Sequence, residues 1–600
     1  MAVFGALAAG LMLPYVGGLG LAAGHEADKF LNTTCALNET QPPQKTTLFA
    51  SDGKTVLATL FDQDRVPVPL ADMPNYLQQA LVATEDRRFY SHHGVDMRGL
   101  IRSAISTSGG NTQGGSTLTM QYVKQIRYYQ AGTDIKAQEA AIAQNLTRKI
   151  EDAKCAIYIE SVKHESKQTI LQNYLNIAFF GENAYGIQTA ARTYFNVDAK
   201  ALTLPQAALL VGLLRAPSEY DPFVNPQAAL ERRNEVLQNL VDVGDLTQAA
   251  ADTYGRTPVK LATTSPPPVH EGCANSKSSV PNVGFFCDYV VNWLEQKQGI
   301  SDTDLKTGGY NVVTTLNAGV QTTTQVHLSQ RMPATSQMTA VLPVVDPKTG
   351  NVLAMAASKY YGINSSTKDN THTEQPIFTA YVANGASTYK LFPLLTALST
   401  GVPSTWSLQT VGNIGTYTPH NCATSEPAQN GDSNETYSTT ESLNTATIKS
   451  SNTFFVGLAD QLFGCDLTPI ITMAERLGMS ALTRPSGEGT FTVAQTILNN
   501  QRVKELVLGS IPTSPLELTG AYAAIANQGI YNAPAPVRSI TAADGTPIAV
   551  KRTPGTRIVT PQVALQATQI LTGDTRGSGT SASEMAQYWY PVNSSRVAGK

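Results

Sequence analysis

The chain has 600 residues, 42% of them hydrophobic and 15% charged, with a formal net charge of −3. That length exceeds what one hydrophobic core supports and predicts two or three domains. The near-neutral balance excludes the strongly basic composition of a nucleic-acid binder, so no nucleic-acid partner is expected. Residues 2–24 carry no charged side chain and are about long enough to cross a bilayer core of roughly 30 Å. We read 1–24 as a partial transmembrane anchor, rich in Gly and interrupted by Pro14, with everything after Glu26 outside the cytoplasm. A cleaved secretory signal is the competing reading. No Lys or Arg precedes the stretch, so the positive-inside rule has nothing to act on, and a cytoplasmic start is expected to be missing. Six cysteines stand at 35, 155, 273, 287, 422 and 465. Cys273 with Cys287, and Cys422 with Cys465, are candidate disulfides of an oxidising compartment. Cys155 lies in a helical pattern and reads as a buried thiol. No zinc-ligand spacing is present.

Residues 46–64 alternate loosely around Asp52-Gly53, as a hairpin linking membrane and domain does. From Asp72 to about Gly244 the pattern is almost all helical. Tyr76, Leu77, Ala80, Leu81, Ala83 and Thr84 have helical spacing, with Asp72 as N-cap. Glu85 therefore leaves the end of a rigid element and enters a loop crowded with cations and aromatics. A carboxylate there acts as a general base when a hydroxyl and an anionic leaving group are held beside it. The bland alternative is an ordinary charged helix end. From Glu85 to His164 there are eleven Lys/Arg against eight Asp/Glu, a local excess that fits an anionic substrate. Ile170, Leu171, Tyr174 and Leu175 form an apolar stripe that reads as core. Thr203-Leu204-Pro205 opens a capped, buried helix, and His92 and His93 read as structural hydrogen-bonding groups, with hydrogen bonding to substrate as the alternative.

Glu85-Asp86-x-x-Phe89-x-x-His92-x-Gly94, followed by Gly114-Gly115-Ser116-Thr117-Leu118-Thr119-Met120-Gln121-x-x-Lys124, resembles the first two motifs of the peptidoglycan glycosyltransferases. These form the N-terminal catalytic domain of class A penicillin-binding proteins. Arg148-Lys149-Ile150-Glu151-Asp152 resembles the family's RKxxE. Lys167 to Asn176, with Phe180-Gly181 and Tyr185-Gly186-Ile187, resembles its fourth motif, and Arg232 to Leu237 its fifth. The resemblance implies that Glu85 is the base, that Lys124, Arg148 and Lys149 clamp a lipid-linked pyrophosphate, and that Ser116 and Gln121 contact substrate. It also implies a divalent cation, Mg or Mn, and no organic cofactor. The family's second carboxylate is Glu, and here Asp152 stands in its place as catalytic and metal-binding candidate. Glu151, about 100° away on a helix, is expected to face elsewhere. Asp is one methylene shorter, so reduced activity is expected.

Residues 246–337 read as a connector, with a stiff Thr264-Ser265-Pro266-Pro267-Pro268 piece, a helix over Phe285–Lys297 and a strand over Gly309–Leu316. Met338–Ala357 reads as a hairpin turning at Asp346-Pro347-Lys348-Thr349-Gly350, whose Lys-Thr-Gly is a decoy because it precedes the nucleophile. In Ser387-Thr388-Tyr389-Lys390 the i, i+3 spacing puts the amine on the face of the hydroxyl. Ser438-x-x-Glu441 has capping-box form, opening a helix that ends in Ser450-Ser451-Asn452. SxxK followed by SxN is the order of penicillin-binding transpeptidases, and Thr513 to Gly529 is similar to the helix before their third motif. Val597-Ala598-Gly599-Lys600 looks like the start of that motif cut after its Lys, so a truncated transpeptidase that acylates poorly is expected.

By this resemblance the fold is a mainly α, lysozyme-like glycosyltransferase domain over 46–245, a linker over 246–337, and an α/β penicillin-binding domain with an antiparallel sheet over 338–600. The implied function is polymerisation of lipid II and crosslinking of stem peptides through acyl-Ser387. Lys390 is the base, Ser450 a proton relay, Asn452 a substrate-amide contact and Lys600 an electrostatic anchor. Implied partners are nascent peptidoglycan, β-lactams, the bacterial plasma membrane and the cell-wall synthesis machinery. A D,D-carboxypeptidase, and a polymerase-impaired penicillin-binding protein, are the rival readings.

Overall fold

The computed structural model describes Cys35, Leu37, and residues 43–61, 63–96, 98–99, 116–131, 134–143, 145–262, 272–274, 276, 278–363, 370–381, 383–413, 415–422, 427–431, 436–486, 491–575 and 579–581. The anchor read over 1–24 and the anchoring Lys600 lie outside the described residues. Among those described, no helix is long and apolar enough to cross a membrane. The chain forms two compact units. The first takes the described residues up to Thr46 with 60–269 and 303–309, and the second takes 47–59, 270–302 and 310–600.

The first unit is helical. Its main elements are α1 (Asn75–Glu85), α2 (Leu118–Gln130), α3 (Leu146–Ile157), α4 (Lys167–Ile177), α5 (Leu204–Leu213) and α6 (Pro226–Asp242). Leu77 and Leu81 of α1, Val123 of α2, Ile170 and Leu175 of α4 and Leu210 of α5 are fully buried in one core. Each such burial contributes about 1.5–3 kcal/mol. The predicted stripe on α4 is therefore core, and Thr203 caps α5 as expected, its N–H donating to Gln206 Oε1 at 2.8 Å. The expected cap on α1 is not Asp72. Met73 precedes a proline, which holds it extended at φ −109° and ψ 115°, so the helix starts after Pro74, whose carbonyl accepts from Leu77 and Gln78.

Three disulfides are present, each with Cα atoms 5.4 Å apart: Cys273–Cys287, Cys422–Cys465 and Cys35–Cys155. The first two are the expected pairs. The third corrects the reading of Cys155 as a thiol: helical periodicity registers burial but not a partner 120 residues away. By closing so long a loop it restricts the unfolded chain more than the 14-residue bridge does.

In the second unit the strands β1 (Thr46–Phe49), β2 (Val56–Leu60), β3 (Asn311–Thr314), β6 (Val537–Thr541) and β7 (Pro547–Ile548) form one sheet in the order β7-β6-β3-β1-β2. β1 runs parallel to β3, with Leu48 opposite Val312, and β6 antiparallel to it. The hairpin expected to link membrane and domain is thus built into this sheet. Alternation identifies a strand but not which later segment it pairs with. β4 (Val341–Val345) and β5 (Val352–Ala357) make the predicted antiparallel hairpin. The stretch read as a connector divides between the units, helix Gln248–Arg256 going to the first and helix Gly284–Trp293 and β3 to the second. Helices α7 (Leu391–Ser399), α8 (Asn452–Gln461) and α9 (Pro515–Ala526) contribute Leu394, Leu395, Phe454, Phe455 and Ala521 to its core, each 0% exposed.

Candidate functional site

In the first unit, α1 ends on Glu85, half-buried, with its carboxylate turned to α2, where Gln121 Nε2 donates to Glu85 Oε2 at 2.9 Å. The Tyr174 hydroxyl of α4 donates to Gln121 Oε1 at 2.9 Å, which fixes the amide so that its NH₂ faces Glu85. Burial, and then the charge of Glu85, push Tyr174 well above its usual pKa, so it remains a donor. One turn further along α2 stands Lys124, whose ammonium pKa is lowered by burial and by Arg148 against the pull of Asp152 and Glu85. The same shifts show that Glu85, Lys124, Arg148 and Asp152 lie within one electrostatic neighbourhood.

Asp152 is buried on α3, and Arg148 Nη1, one turn before it, binds its Oδ2. Arg127 of α2 reaches Asp152 Oδ1 at 3.3 Å and Glu151 Oε2 at 2.5 Å. Glu151 is exposed, as its helical phase predicted, yet it shares that arginine. Burial raises the pKa of Asp152 despite Arg148, Arg127 and Lys124. Lys149, expected in the clamp, is exposed on α3, with no described side-chain partner. Ser116 is half-buried just ahead of α2; Gly114 and Gly115 of the same motif lie outside the described residues.

Several residues that hold this site were given no role of their own from sequence, although Asp86 and Gly94 are fixed positions of the first motif. Asp86, 6% exposed, accepts from the His92 ring nitrogen and from Leu118 N, each at 3.0 Å, and so ties the loop after Glu85 to the start of α2. His92 therefore serves the structural role expected of it. Glu160 is buried and pairs with Lys167 at 2.6 Å. Gly94, at φ +81°, packs so closely that a Cβ would lie 2.5 Å from the Ala156 carbonyl. Gly94→Ala is expected to destabilise the first unit by about 2–4 kcal/mol, read as a lower melting temperature; an unchanged melt would show that this backbone contact is not held in solution.

In the second unit a tight turn, Ala386–Lys390, presents the nucleophile candidate. Lys390, 0% exposed, donates to Ser387 Oγ at 3.0 Å, Ser450 Oγ at 3.0 Å, Ser450 O at 2.7 Å and Asn452 Oδ1 at 2.6 Å. All four residues of the SxxK and SxN pattern therefore meet at one amine. Ser450 and Ala386 both hold positive φ, 57° and 45°, a strained conformation for side-chain-bearing residues. Distant segments hold the turn: Ala386 N donates to Gly509 O at 2.9 Å, and the Tyr522 hydroxyl of α9 donates to Thr388 O at 3.0 Å. The capping-box reading of Ser438-x-x-Glu441 is corrected. Glu441 is buried within a short strand paired with residues 407–409, and Ser442 is the cap, accepting from Thr445 N at 3.1 Å. The Lys348-Thr349-Gly350 decoy sits at the β4–β5 turn, as expected.

Residues 52–241 match the transglycosylase family, and residues 338–600 match the penicillin-binding protein transpeptidase domain. Glu85 falls in the first span and Ser387 in the second. The chain belongs to the class A penicillin-binding proteins. It is 29% identical over 511 residues to penicillin-binding protein 2D of Bacillus subtilis, and 28% identical over 518 residues to penicillin-binding protein 1A of Mycolicibacterium smegmatis. Each alignment covers 84% of this chain, which spans 65% and 59% of those relatives' lengths. Penicillin-binding protein 1A of Haemophilus influenzae shares the fold, with a TM-score of 0.53 at 16% identity, covering 91% of this chain and 83% of that one.

A divalent cation at Asp152, implied by likeness to class A penicillin-binding proteins, does not fit the residues present. Both Asp152 oxygens are taken by arginines, and the adjacent carboxylate in the chain, Glu151, is exposed and bonded to Arg127 as well. Among the described residues, the one close set of three metal-ligand types is Cys422, Asp460 and Cys465. Its cysteines are joined in a disulfide, and its carboxylate accepts from His420 N and Asn421 N.

Proposed function

We propose that this chain polymerises lipid II into glycan strands and crosslinks their stem peptides. What supports the reading is that one chain assembles both a base-bearing cationic site around Glu85 and a serine–lysine site around Ser387. In polymerisation, Glu85 takes the proton of an acceptor 4-hydroxyl as that oxygen bonds to the anomeric carbon of a second sugar. The bond from that carbon to the lipid pyrophosphate breaks, and its electron pair leaves with the pyrophosphate. Gln121 occupies one carboxylate oxygen and leaves the other for the hydroxyl. Positive charge fixed beside the leaving group is stabilising as negative charge develops there.

In crosslinking, Lys390 in its neutral form accepts the Ser387 proton as Oγ attacks a stem-peptide carbonyl. Ser450, bonded to the same amine, relays that proton to the departing nitrogen as the C–N bond breaks; an amine of a second stem then attacks the acyl carbon, and its proton returns through Lys390 to Ser387 Oγ as the ester bond breaks. A β-lactam carbonyl meets the same nucleophile. Three disulfides support an oxidising compartment outside the cytoplasm, and the uncharged residues 2–24 support a membrane anchor. Labelled lipid II incubated with this chain is expected to yield polymer, and Asp152→Glu, which keeps a carboxylate for Arg148 and Arg127, to yield it as well. No polymer from either protein would refute the polymerase reading.

A further inference from the structure

The misfit between Asp152 and a metal ion leaves a question of charge: what meets the leaving pyrophosphate if no cation is ligated there? Lys124 is half-buried and has no hydrogen-bond partner among the described residues, while Arg148 crowds it. A desolvated ammonium beside a second cation is relieved by an incoming anion. Arg127 follows Lys124 by three residues on α2, about one turn on, and both act on Asp152, Arg127 by a bond of 3.3 Å to Oδ1 and Lys124 through its charge. The Arg127 side chain is 30% exposed and that of Glu151 52% exposed, so that ion pair is solvent-screened and weak, and the second bond of Arg127, to the buried Asp152, is the longer one at 3.3 Å. Arg148, by contrast, is 9% exposed and committed to Asp152 and to the Ala143 carbonyl.

We propose that Arg127, with Lys124, forms a metal-independent pyrophosphate clamp, in which Glu151 and Asp152 hold the Arg127 guanidinium in place until the anion arrives. This rests on the polymerase reading and deepens it. The planar fork of Arg127 meets two phosphate oxygens at once, which the point charge of a lysine does not. The Asp152 carboxylate, one methylene shorter than that of Glu, is met by an arginine reaching from the neighbouring helix. It positions two guanidiniums and does not ligate a cation. Arg127 lies outside every motif that carried the resemblance, so motif matching passes over it.

The test titrates the full chain with inorganic pyrophosphate and with farnesyl pyrophosphate by calorimetry, once in EDTA and once in Mg. The parent is expected to bind both ligands with affinities that agree within about twofold between the two buffers. Arg127→Gln is expected to lose about ten- to a hundredfold in EDTA, the range of a charge-assisted hydrogen bond, and Arg127→Lys to lose less. Melting curves of both variants separate a lost contact from a lost fold, and Arg127→Lys keeps the charge that balances Glu151 and Asp152. Binding by the parent only in Mg, absence of binding in both buffers, or unchanged affinity in Arg127→Gln would each overturn the clamp. Intact binding with no polymer from lipid II would instead refute the polymerase reading and leave the clamp standing.

Discussion

Glu85→Gln is expected to lower the initial rate of lipid II polymerisation by about 10²–10⁴-fold, the usual contribution of a general base. The melting temperature should hardly move. Gln has the shape of Glu, and the half-buried side chain lies at the end of α1, beyond the core formed by Leu77 and Leu81. Its carbonyl oxygen can still accept from Gln121 Nε2, so the neighbouring network stays closed. What disappears is the capacity to take a proton. The measurement is initial rate against lipid II concentration, with a melt on the same preparation. A loss of less than about tenfold would remove Glu85 from the role of base. A rise in KM with kcat unchanged would recast it as a binding group.

The sequence was most legible where chemistry and local periodicity coincide. Glu85 stood out because helical spacing delivers it to the end of α1. Lys390 stood out because its one-turn spacing from Ser387 is followed by SxN in the order of penicillin-binding transpeptidases; Glu85 ends α1 and Lys390 Nζ reaches Ser387 Oγ. Asp152 is placed by its position in the RKxxE-like motif, with helical phase setting Glu151 on another face, and it is the buried one of the two. The residues missed are those whose importance comes from another segment. Arg127 sits in an unremarked part of α2 until α3 is laid against it. Tyr522 reads as part of a buried helix until its hydroxyl reaches Thr388 O, 134 residues away. The Cys35–Cys155 bridge and the pairing of β1 with β3 are likewise long-range. The two local errors, Asp72 and Glu441, arose where a capping pattern competed with a stronger local constraint: the residue before Pro74 in one case, a short buried strand in the other.

Lys390→Met should separate the chemistry of the second unit from its architecture. Methionine matches the length of the buried stem and stays beside Phe455, whose ring lies 5.9 Å from Lys390 Nζ. It offers no proton acceptor to Ser387 and no donor to Ser450 O or Asn452 Oδ1. Acylation by a labelled β-lactam is therefore expected to fall by about 10²–10⁴-fold relative to the parent chain. The melt of this unit should also fall, because a buried acceptor left unpaired costs about 1–3 kcal/mol. Ser387→Ala provides the contrast. It removes one of the four described hydrogen bonds of the amine and leaves Ser450 and Asn452 in place, so the adduct should vanish while the melt stays near that of the parent. Following adduct by mass and unfolding by calorimetry on both variants distinguishes the base from the scaffold. Adduct forming in Lys390→Met at the parental rate would show that another group takes the serine proton. A melt that falls as far in Ser387→Ala as in Lys390→Met would show that the serine, and not the Ser450–Asn452 acceptor pair, anchors the buried amine.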